Sequence, residues 1–272
     1  MYSMIDSTIQ IQNDHTLEKL CRLNILLVED NLLNAKLVSI LFAEIGMKLQ
    51  VAKNGMEAIE KIKTNRFDMV LMDMEMPVMN GYQATAIIRQ QLKIDIPIIA
   101  LTAHSMPGEM EKCLQLGMND YITKPINADL LFNSIYKLTC LGKTGSGKTG
   151  NAVLPEVSIH ADKVCNLGYL VGVTRGNKKI INNIVSVFFK ETTKELSSLD
   201  DAIKGTNYTV ISNISHKIRS AFAILGISVL DPVFKEMELL SNSTSPIGKI
   251  EILNRRINIV FNQAKAEMKA AS

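Results

Sequence analysis

Short runs of aliphatic residues alternate with segments of helical periodicity over the first half of the chain. The runs at residues 25–28, 49–52, 69–73, 96–101 and 121–122 have the length and composition of buried strands. The segments between them repeat apolar residues at helical spacing, and Gly46 and Gly117 stand where two of these helices are expected to end. Strands that alternate with helices in this way predict an α/β domain over residues 23–141, with a five-stranded, doubly wound parallel sheet.

The second half of the chain has a different pattern, in which four apolar stripes at helical spacing follow one another. They cover residues 180–203, 210–225, 229–240 and 250–264, and short polar or glycine-containing turns separate them. An amphipathic helix buries its apolar stripe against neighbouring helices. We therefore expect an all-α unit over residues 157–272, built as an antiparallel four-helix bundle.

The remaining segments are predicted to have little regular structure. Residues 1–22 form an N-terminal tail, and residues 142–156 form a flexible linker rich in Gly and Lys. Residues 142–149 satisfy the GxxxxGK[ST] pattern of a phosphate-binding loop. That loop requires a strand before it and a helix after it, whereas here a helix precedes it and Pro155 follows. We therefore interpret the motif as part of the spacer.

Composition and charge narrow the classes of function. The 272 residues include 30 basic and 27 acidic side chains, a net charge of +3, with no block of like charge that favours nucleic-acid binding. The four cysteines are widely spaced and form no Cys-x-x-Cys motif, which is typical of reduced thiols in a cytosolic protein. No run reaches the roughly 20 apolar residues of a membrane span, and the first twenty residues do not resemble a signal peptide. We expect a soluble, cytoplasmic protein.

Charged residues follow the predicted strands at the points where those strands end. Glu29 and Asp30 follow the first strand, Asp73 ends the third and Lys124 follows the fifth. The carboxyl ends of parallel strands meet at one edge of the sheet, where open α/β sheets bind their ligands. Mg²⁺ prefers oxygen ligands and usually takes only one or two protein carboxylates. Asp30 and Asp73 are therefore candidates for direct ligands, with Glu29 acting through a water.

The same four groups, with Thr102, suit phosphoryl chemistry. An aspartate beside a metal can act as the nucleophile toward a phosphoryl group, and Asp73 is our candidate for that role. Lys124 would neutralise phosphoryl oxygens, and the Thr102 hydroxyl would donate to one of them. Singly, such residues are usually helix caps or surface charges. Caps do not readily explain a matched set at the ends of several strands.

The motifs LLVEDN, ALTAH and DYITKP, with MPVMNGY after Asp73, resemble the response-regulator receiver domain over residues 24–140. The resemblance implies a flavodoxin-like fold and a Mg²⁺-dependent, self-catalysed phosphorylation from a phosphohistidine, followed by slow dephosphorylation. It makes Asp73 the phosphoacceptor and Lys124 the essential lysine. The other implied roles are a switch hydroxyl and a switch aromatic at Thr102 and Tyr121, and metal ligation by Glu29, Asp30, Asp73 and the backbone carbonyl of Glu75.

His216 is the candidate reactive residue of the helical unit. It lies about 200° around its helix from the apolar Ile214 and Ile218, so we expect an exposed imidazole that points away from the bundle core. Small or polar residues share its face: Ser212, Asn213, Arg219, Ser220 and Ala223. An exposed imidazole titrates near neutral pH and offers a nucleophilic nitrogen, and Arg219 would hold a phosphoryl group.

The segment around His216 resembles a histidine-phosphotransfer (HPt) domain over about residues 160–268. The resemblance implies that His216 is a phosphoacceptor, supported by Arg219 and Ser220. The family usually has Lys at the position of Arg219 and often Gly at the position of Ser220, so this chain departs from the pattern at both. Arg219 and Ser220 are therefore expected to affect how closely a partner can approach His216 and how the phosphoryl group is retained there.

Together these features predict a two-component phosphorelay protein that carries phosphoryl on Asp73 and on His216. It is either a separate relay protein or the carboxyl-terminal part of a hybrid histidine kinase. No segment resembles an ATP-binding kinase domain, so the expected partners are a histidine kinase or kinase domain as donor, and a receiver domain for His216. Two alternatives remain: a phosphorylation-switched adaptor whose bundle is a docking module with an inert His216, and an NTPase that uses the linker motif.

Overall fold

The computed structural model describes residues 14–103, 107–140 and 163–270. The predicted linker at residues 142–156 and the phosphate-loop pattern within it lie outside the described residues. Residues 1–13 of the predicted tail lie outside them as well.

The first unit is built on one parallel sheet. Its five strands, counted over the described residues, are β1 (Asn24–Val28), β2 (Lys48–Ala52), β3 (Met69–Asp73), β4 (Ile98–Thr102) and β5 (Asp120–Thr123), in the spatial order β2-β1-β3-β4-β5. Every neighbouring pair is parallel. The order changes direction between β1 and β3, which in such sheets is where ligands bind.

The helices of this unit lie between and around the strands. They are α1 (Asp14–Cys21), α2 (Leu32–Glu44), α3 (Gly55–Thr64), α4 (Gly81–Ala86, continued by a π-helical turn Ile87–Gln91), α5 (Pro107–Gln115) and α6 (Ala128–Cys140). Two hydrophobic clusters result, one with α2 and α6 and the other with α3 and α4. Every residue of β3 and β4 is buried, as expected for strands covered on both faces. The prediction of a five-stranded, flavodoxin-like sheet is confirmed.

Helix α1 differs from the predicted tail. The sequence analysis assigned residues 1–22 to a tail, but Asp14–Cys21 is helical and Leu20 is fully buried in the cluster that contains α2 and α6. The helix has only 8 residues, so its apolar residues form a stripe too short for sequence periodicity to reveal.

The second unit is helical. It comprises α7 (Gly168–Val173), α8 (Lys178–Lys204), α9 (Tyr208–Ile224), a 3₁₀ turn (Ser228–Leu230), α10 (Asp231–Asn242) and α11 (Ile247–Ala270). Helices α8 to α11 form a ring in which each contacts two others, around Phe188, Phe222, Phe234 and Phe261. The prediction of a helical bundle agrees with this arrangement. None of the helices in the described part of the chain is long and apolar enough to cross a membrane.

The two units pack against each other through α2. Leu33 and Leu37 on α2 are buried in the hydrophobic cluster of the bundle, whereas Val38 and Leu41 face the sheet. The Tyr169 hydroxyl donates to the Ile126 carbonyl over 2.9 Å. Helix α2 is therefore apolar on two faces, and the second of these faces is covered by the helical unit.

Gly81 permits the loop after β3 to close tightly. A Cβ atom at this position would clash with the backbone carbonyl of Asp73 and crowd Met72 and Met74. We expect Gly81→Ala to lower the unfolding free energy of the first unit by about 1–3 kcal/mol, because overpacking forces the backbone to shift. Urea denaturation checks this. Gly108→Ala is the matched control, since a Cβ there meets nothing within 4 Å, and equal stabilities for the two variants would contradict the prediction.

Candidate functional site

Three carboxylates converge at the carboxyl edge of the sheet. Glu29 and Asp30 follow β1, and Asp73 ends β3, which pairs with β1 in the register Val28 to Met72. One ligand atom from each carboxylate lies within 4.8 Å of the other two. Glu29 and Asp73 are buried, with 2% and 3% of their surface exposed. The structure thus brings together the three predicted acidic residues.

Lys124 joins two of these carboxylates. Its Nζ lies 2.7 Å from Glu29 Oε2 and 2.7 Å from Asp73 Oδ2. The residue follows β5, its backbone N–H donates to the Thr102 carbonyl, and the peptide bond to Pro125 is cis. Thr102 ends β4, next to β3, and is buried. The predicted lysine and threonine therefore lie at the same edge as the acids.

The site holds more negative than positive charge. Burial, and then the charge of Glu29, raise the pKa of Asp73 above its ordinary range. Burial and Glu29 also raise the pKa of Asp30 to about 6. Burial alone would lower the pKa of Lys124, but Asp73 and Glu29 outweigh it and raise that pKa. Lys124 bridges Glu29 and Asp73, and Lys217 of the helical unit opposes the charge of Asp30. Burial and mutual repulsion still raise the pKa of Asp30 and Asp73, so a further cation would relieve the repulsion.

The loop after Asp73 brings a fourth carboxylate to the site. The Glu75 backbone nitrogen lies 3.3 Å from Asp73 Oδ1. The Met74 N–H donates to the Leu101 carbonyl and so holds the loop against β4. The Glu75 side chain reaches out of the first unit toward the bundle. Its carboxylate Oε2 lies 2.7 Å from Nδ1 of His216.

His216 on α9 faces the acidic pocket of the first unit. The helical unit contributes a second carboxylate, Glu238, whose Oε1 lies 3.7 Å from the same Nδ1. Burial alone would lower the pKa of His216, but Glu75, Glu238 and then Asp73 outweigh it and raise that pKa. The imidazole points out of the bundle core, as the helical spacing predicts. It is not exposed as expected, because the first unit covers it and leaves 12% of the side chain accessible.

Arg219 and Ser220, the predicted phosphoryl-supporting residues, contact different neighbours of α9. Arg219 is buried, with Nε 2.7 Å from Asp231 Oδ1 and Nη1 3.5 Å from Glu238 Oε2. Its guanidinium therefore anchors α10 and the carboxylate beside His216. Ser220 faces the first unit, where its hydroxyl oxygen lies 3.3 Å from Asn31 Nδ2. The helical wheel placed both residues near His216 but did not distinguish these roles.

Tyr121, the predicted switch aromatic, is half-buried on β5. It packs against the hydrophobic cluster that contains α3 and α4. Its role in a switch remains a prediction.

Sequence reasoning missed the side chains that join the two units. Asn31 and Asn34 on α2 contact the bundle, and Glu75 and Glu238 hold the imidazole. Asn31, Asn34 and Glu75 lie close in sequence to Asp30 and Asp73, but this did not reveal that a second unit would pack there. Glu238 gave no sequence signal.

Comparison with known proteins identifies one family for part of the chain. The sequence model described as the response regulator receiver domain matches residues 25–136. Signal transduction histidine-protein kinase BarA of Escherichia coli (strain K12) is 27% identical over 209 residues, which cover 75% of this chain and 22% of BarA. Sensor histidine kinase GacS of Pseudomonas protegens is 29% identical over 220 residues, covering 79% of this chain and 24% of GacS.

Other similarities are confined to less than half of the chain. Hybrid signal transduction histidine kinase I of Dictyostelium discoideum is 41% identical over 124 residues, 43% of this chain and 7% of the relative. Among solved structures, the receiver domain of sensor histidine kinase PA1611 from Pseudomonas aeruginosa is 39% identical. It covers 42% of this chain and 95% of that one, with a TM-score of 0.40. The chain spans less than a quarter of the length of these curated relatives.

The raised pKa of Asp30 predicts how stability depends on pH. The folded state binds this proton more tightly than the unfolded state, so the stabilising contribution is complete below pH 3.8 and is lost as pH rises through about 6. Without divalent cations, we expect Asp30→Asn to stabilise the protein at pH 7.5 by about 1–3 kcal/mol and to have little effect near pH 4. Thermal denaturation at the two pH values checks this.

The matched control for that measurement is Asp201→Asn, because the Asp201 side chain is 75% exposed. We expect no comparable gain at pH 7.5. A loss of stability in Asp30→Asn at pH 7.5 without metal would contradict the electrostatic interpretation.

Proposed function

Because residues 25–136 form a response regulator receiver domain homologous to those of hybrid histidine kinases, we propose that the whole chain is a two-component phosphorelay protein. Its receiver takes a phosphoryl group from a phosphohistidine onto Asp73, and its helical bundle acts as an HPt domain that carries phosphoryl on His216. The observation that carries this proposal is the position of His216. Its imidazole lies 2.7 Å from Glu75, two residues after Asp73, at the mouth of the acidic pocket.

The acidic pocket suits Mg²⁺. Three carboxylate oxygens within 4.8 Å of one another form a set of hard oxygen ligands with uncompensated charge. Asp30 and Asp73 would bind the ion directly, Glu29 through a water, and Glu75 through its backbone carbonyl. When bound, Mg²⁺ would neutralise charge on the phosphoryl oxygens.

The transfer step uses groups already in the pocket. A carboxylate oxygen of Asp73 attacks the phosphorus of a phosphohistidine; the new P–O bond forms as the P–N bond breaks, and the electron pair stays on the imidazole nitrogen. Lys124, 2.7 Å from Asp73, neutralises negative charge on the transferred group. The Thr102 hydroxyl donates to a phosphoryl oxygen. The reverse sequence moves phosphoryl from Asp73 to His216.

Glu75 and Glu238 favour the protonated product on the histidine side. After the P–N bond breaks, the imidazole takes up a proton from water, and the two carboxylates near Nδ1 stabilise the resulting cation. The raised pKa of His216 has the same cause, after burial is overcome. These contacts assist the step from phosphohistidine to Asp73. In the reverse step the neutral imidazole nitrogen attacks phosphorus, so the cation first releases its proton to solvent.

Two further observations support the HPt assignment of the bundle. The alignments with BarA and GacS cover 75% and 79% of the chain, so they extend well beyond residues 25–136. Arg219, which replaces the usual lysine, is held by Asp231 and Glu238 and does not block the imidazole. The phosphoryl source in this proposal is a separate histidine kinase or kinase domain in the cytoplasm, and another receiver is a second partner for His216.

The adaptor alternative shares the docked geometry and differs only in the chemistry of His216. In that case the bundle covers the receiver pocket, but the histidine never accepts phosphoryl. Direct detection of phosphohistidine separates the two.

We expect Asp73 to form an aspartyl phosphate with a small donor such as acetyl phosphate, in a reaction that requires Mg²⁺. Asp73→Asn keeps the shape of the side chain and removes the nucleophile, so phosphorylation should fall to background. Intact-mass analysis and Phos-tag electrophoresis measure it. Undiminished phosphorylation of the variant would exclude Asp73 as the acceptor.

We expect acid-labile, alkali-stable label to appear on His216 after Asp73 is loaded. His216→Gln should keep the aspartyl phosphate and lose the phosphohistidine, because the amide offers no comparable nucleophile. Equal alkali-stable label in the wild type and the variant would favour the adaptor alternative.

A further inference from the structure

At the contact between the bundle and the receiver, every hydrogen-bonding position of the Ser220 hydroxyl is occupied. Ser220 Oγ donates to the Lys217 carbonyl over 2.9 Å, and it lies 3.3 Å from Asn31 Nδ2 and 3.4 Å from Asn34 Nδ2. A hydroxyl has one donor and two acceptor positions. All three are occupied here, two of them by the receiver.

The Asn31 side chain cannot turn away from the bundle without breaking α2. Its Oδ1 accepts from the backbone N–H groups of Leu33 and Asn34 and so caps the helix. The amide nitrogen must therefore point outward, where it donates to the Lys217 carbonyl over 2.9 Å and to Ser220. The capping interaction therefore orients the amide nitrogen of Asn31 toward α9.

Asn34 links this contact to the phosphoryl site. Its Nδ2 donates to Glu29 Oε1 over 3.0 Å and also faces Ser220. Both asparagines are buried, at 6% exposure each, so neither amide has free access to water. If the bundle lacked the Ser220 hydroxyl, the buried amide groups of Asn31 and Asn34 would each lose one hydrogen-bond acceptor. Leaving a buried donor without its acceptor is unfavourable.

We propose that Ser220, which accepts hydrogen bonds from Asn31 and Asn34, is a specificity-determining residue that pairs this bundle with its own receiver. The pairing is reciprocal: a receiver with apolar side chains at the two asparagine positions would leave the half-buried Ser220 hydroxyl oxygen without its two donor partners. This inference rests on the proposed relay between Asp73 and His216. It adds a residue that acts through docking and does not touch the transferred group.

The test follows transfer from Asp73 to His216 in the full chain. The protein is loaded with acetyl phosphate and Mg²⁺, the donor is removed, and phosphohistidine is measured relative to the aspartyl phosphate first formed. The variants are Ser220→Ala, Asn34→Ala and the double variant. Ser220→Thr keeps the hydroxyl, and Ser215→Ala removes a hydroxyl from the same helix that bonds only the Ile211 carbonyl inside the bundle.

We expect Ser220→Ala to slow transfer about three- to tenfold, the range for one lost buried hydrogen bond. Ser220→Thr and Ser215→Ala should remain near the wild-type rate. In the Asn34→Ala background, the Ser220→Ala effect should shrink, because the two side chains act as a pair. Equal rates for Ser220→Ala and wild type, or an undiminished effect in the double variant, would overturn the proposal.

A second readout separates this proposal from the relay itself. Amide hydrogen exchange in the first turns of α2 should quicken in Ser220→Ala and not in Ser215→Ala, whether or not phosphoryl moves. If the wild type forms no phosphohistidine, the relay fails while the exchange difference still tests the contact. Unchanged exchange in Ser220→Ala would overturn the specificity proposal alone.

Discussion

The uncompensated negative charge at the carboxyl edge of the sheet is the constraint on which the other contacts depend. Glu29 and Asp73 are almost fully buried, and Lys124 bridges them. Carboxylates in such a setting repel one another and lose hydration, so they attract whatever cations the fold can supply. Lys124 comes from the end of β5, and a divalent cation would supply the remainder.

The helical bundle places His216 and Lys217 close to the same negative charge. His216 lies against Glu75, and Glu75, Glu238 and then Asp73 outweigh burial and raise the pKa of the imidazole. Burial opposes the charge on Lys217, but Glu195 and then Asp30 outweigh it and raise its pKa. The negative charge around Asp73 therefore also favours the docked position of the bundle.

Phosphorylation must alter this balance. A phosphoryl group carries roughly 1.5 to 2 negative charges at neutral pH, and on Asp73 it would replace the single charge of the carboxylate. On Asp73 it would strengthen the attraction for Lys124 and for the His216 cation, whereas on His216 it would face Glu75 and Glu238 at close range. In the proposed relay, the location of the phosphoryl group would therefore shift the populations of docked and undocked states.

Part of this site follows from sequence and part does not. Glu29, Asp30, Asp73 and Lys124 were predictable because each ends or follows a strand, and parallel strands bring their carboxyl ends together. The burial of His216 was not, because a helical wheel shows which way a side chain points and not what covers it. Arg219 illustrates the same limit: its partners Asp231 and Glu238 lie on α10, and no local pattern connects them to α9.

The contact through α2 was also hidden in the sequence. From the sequence, Leu33 and Leu37 look like ordinary core residues of an α/β domain, but they pack into the bundle. An excess of apolar residues around a helix indicates burial on more than one side, but it does not identify the second neighbour.

The most direct test of the central claim, that Asp73 and His216 exchange phosphoryl within one chain, is the concentration dependence of the transfer rate. Wild-type protein loaded on Asp73 is diluted over about a hundredfold range, and the first-order rate constant for phosphohistidine formation is measured at each concentration. Transfer within the docked chain has a fixed effective concentration, so we expect the rate constant to stay unchanged. A rate constant that rises in proportion to protein concentration would contradict the claim and show that His216 takes phosphoryl only from another molecule.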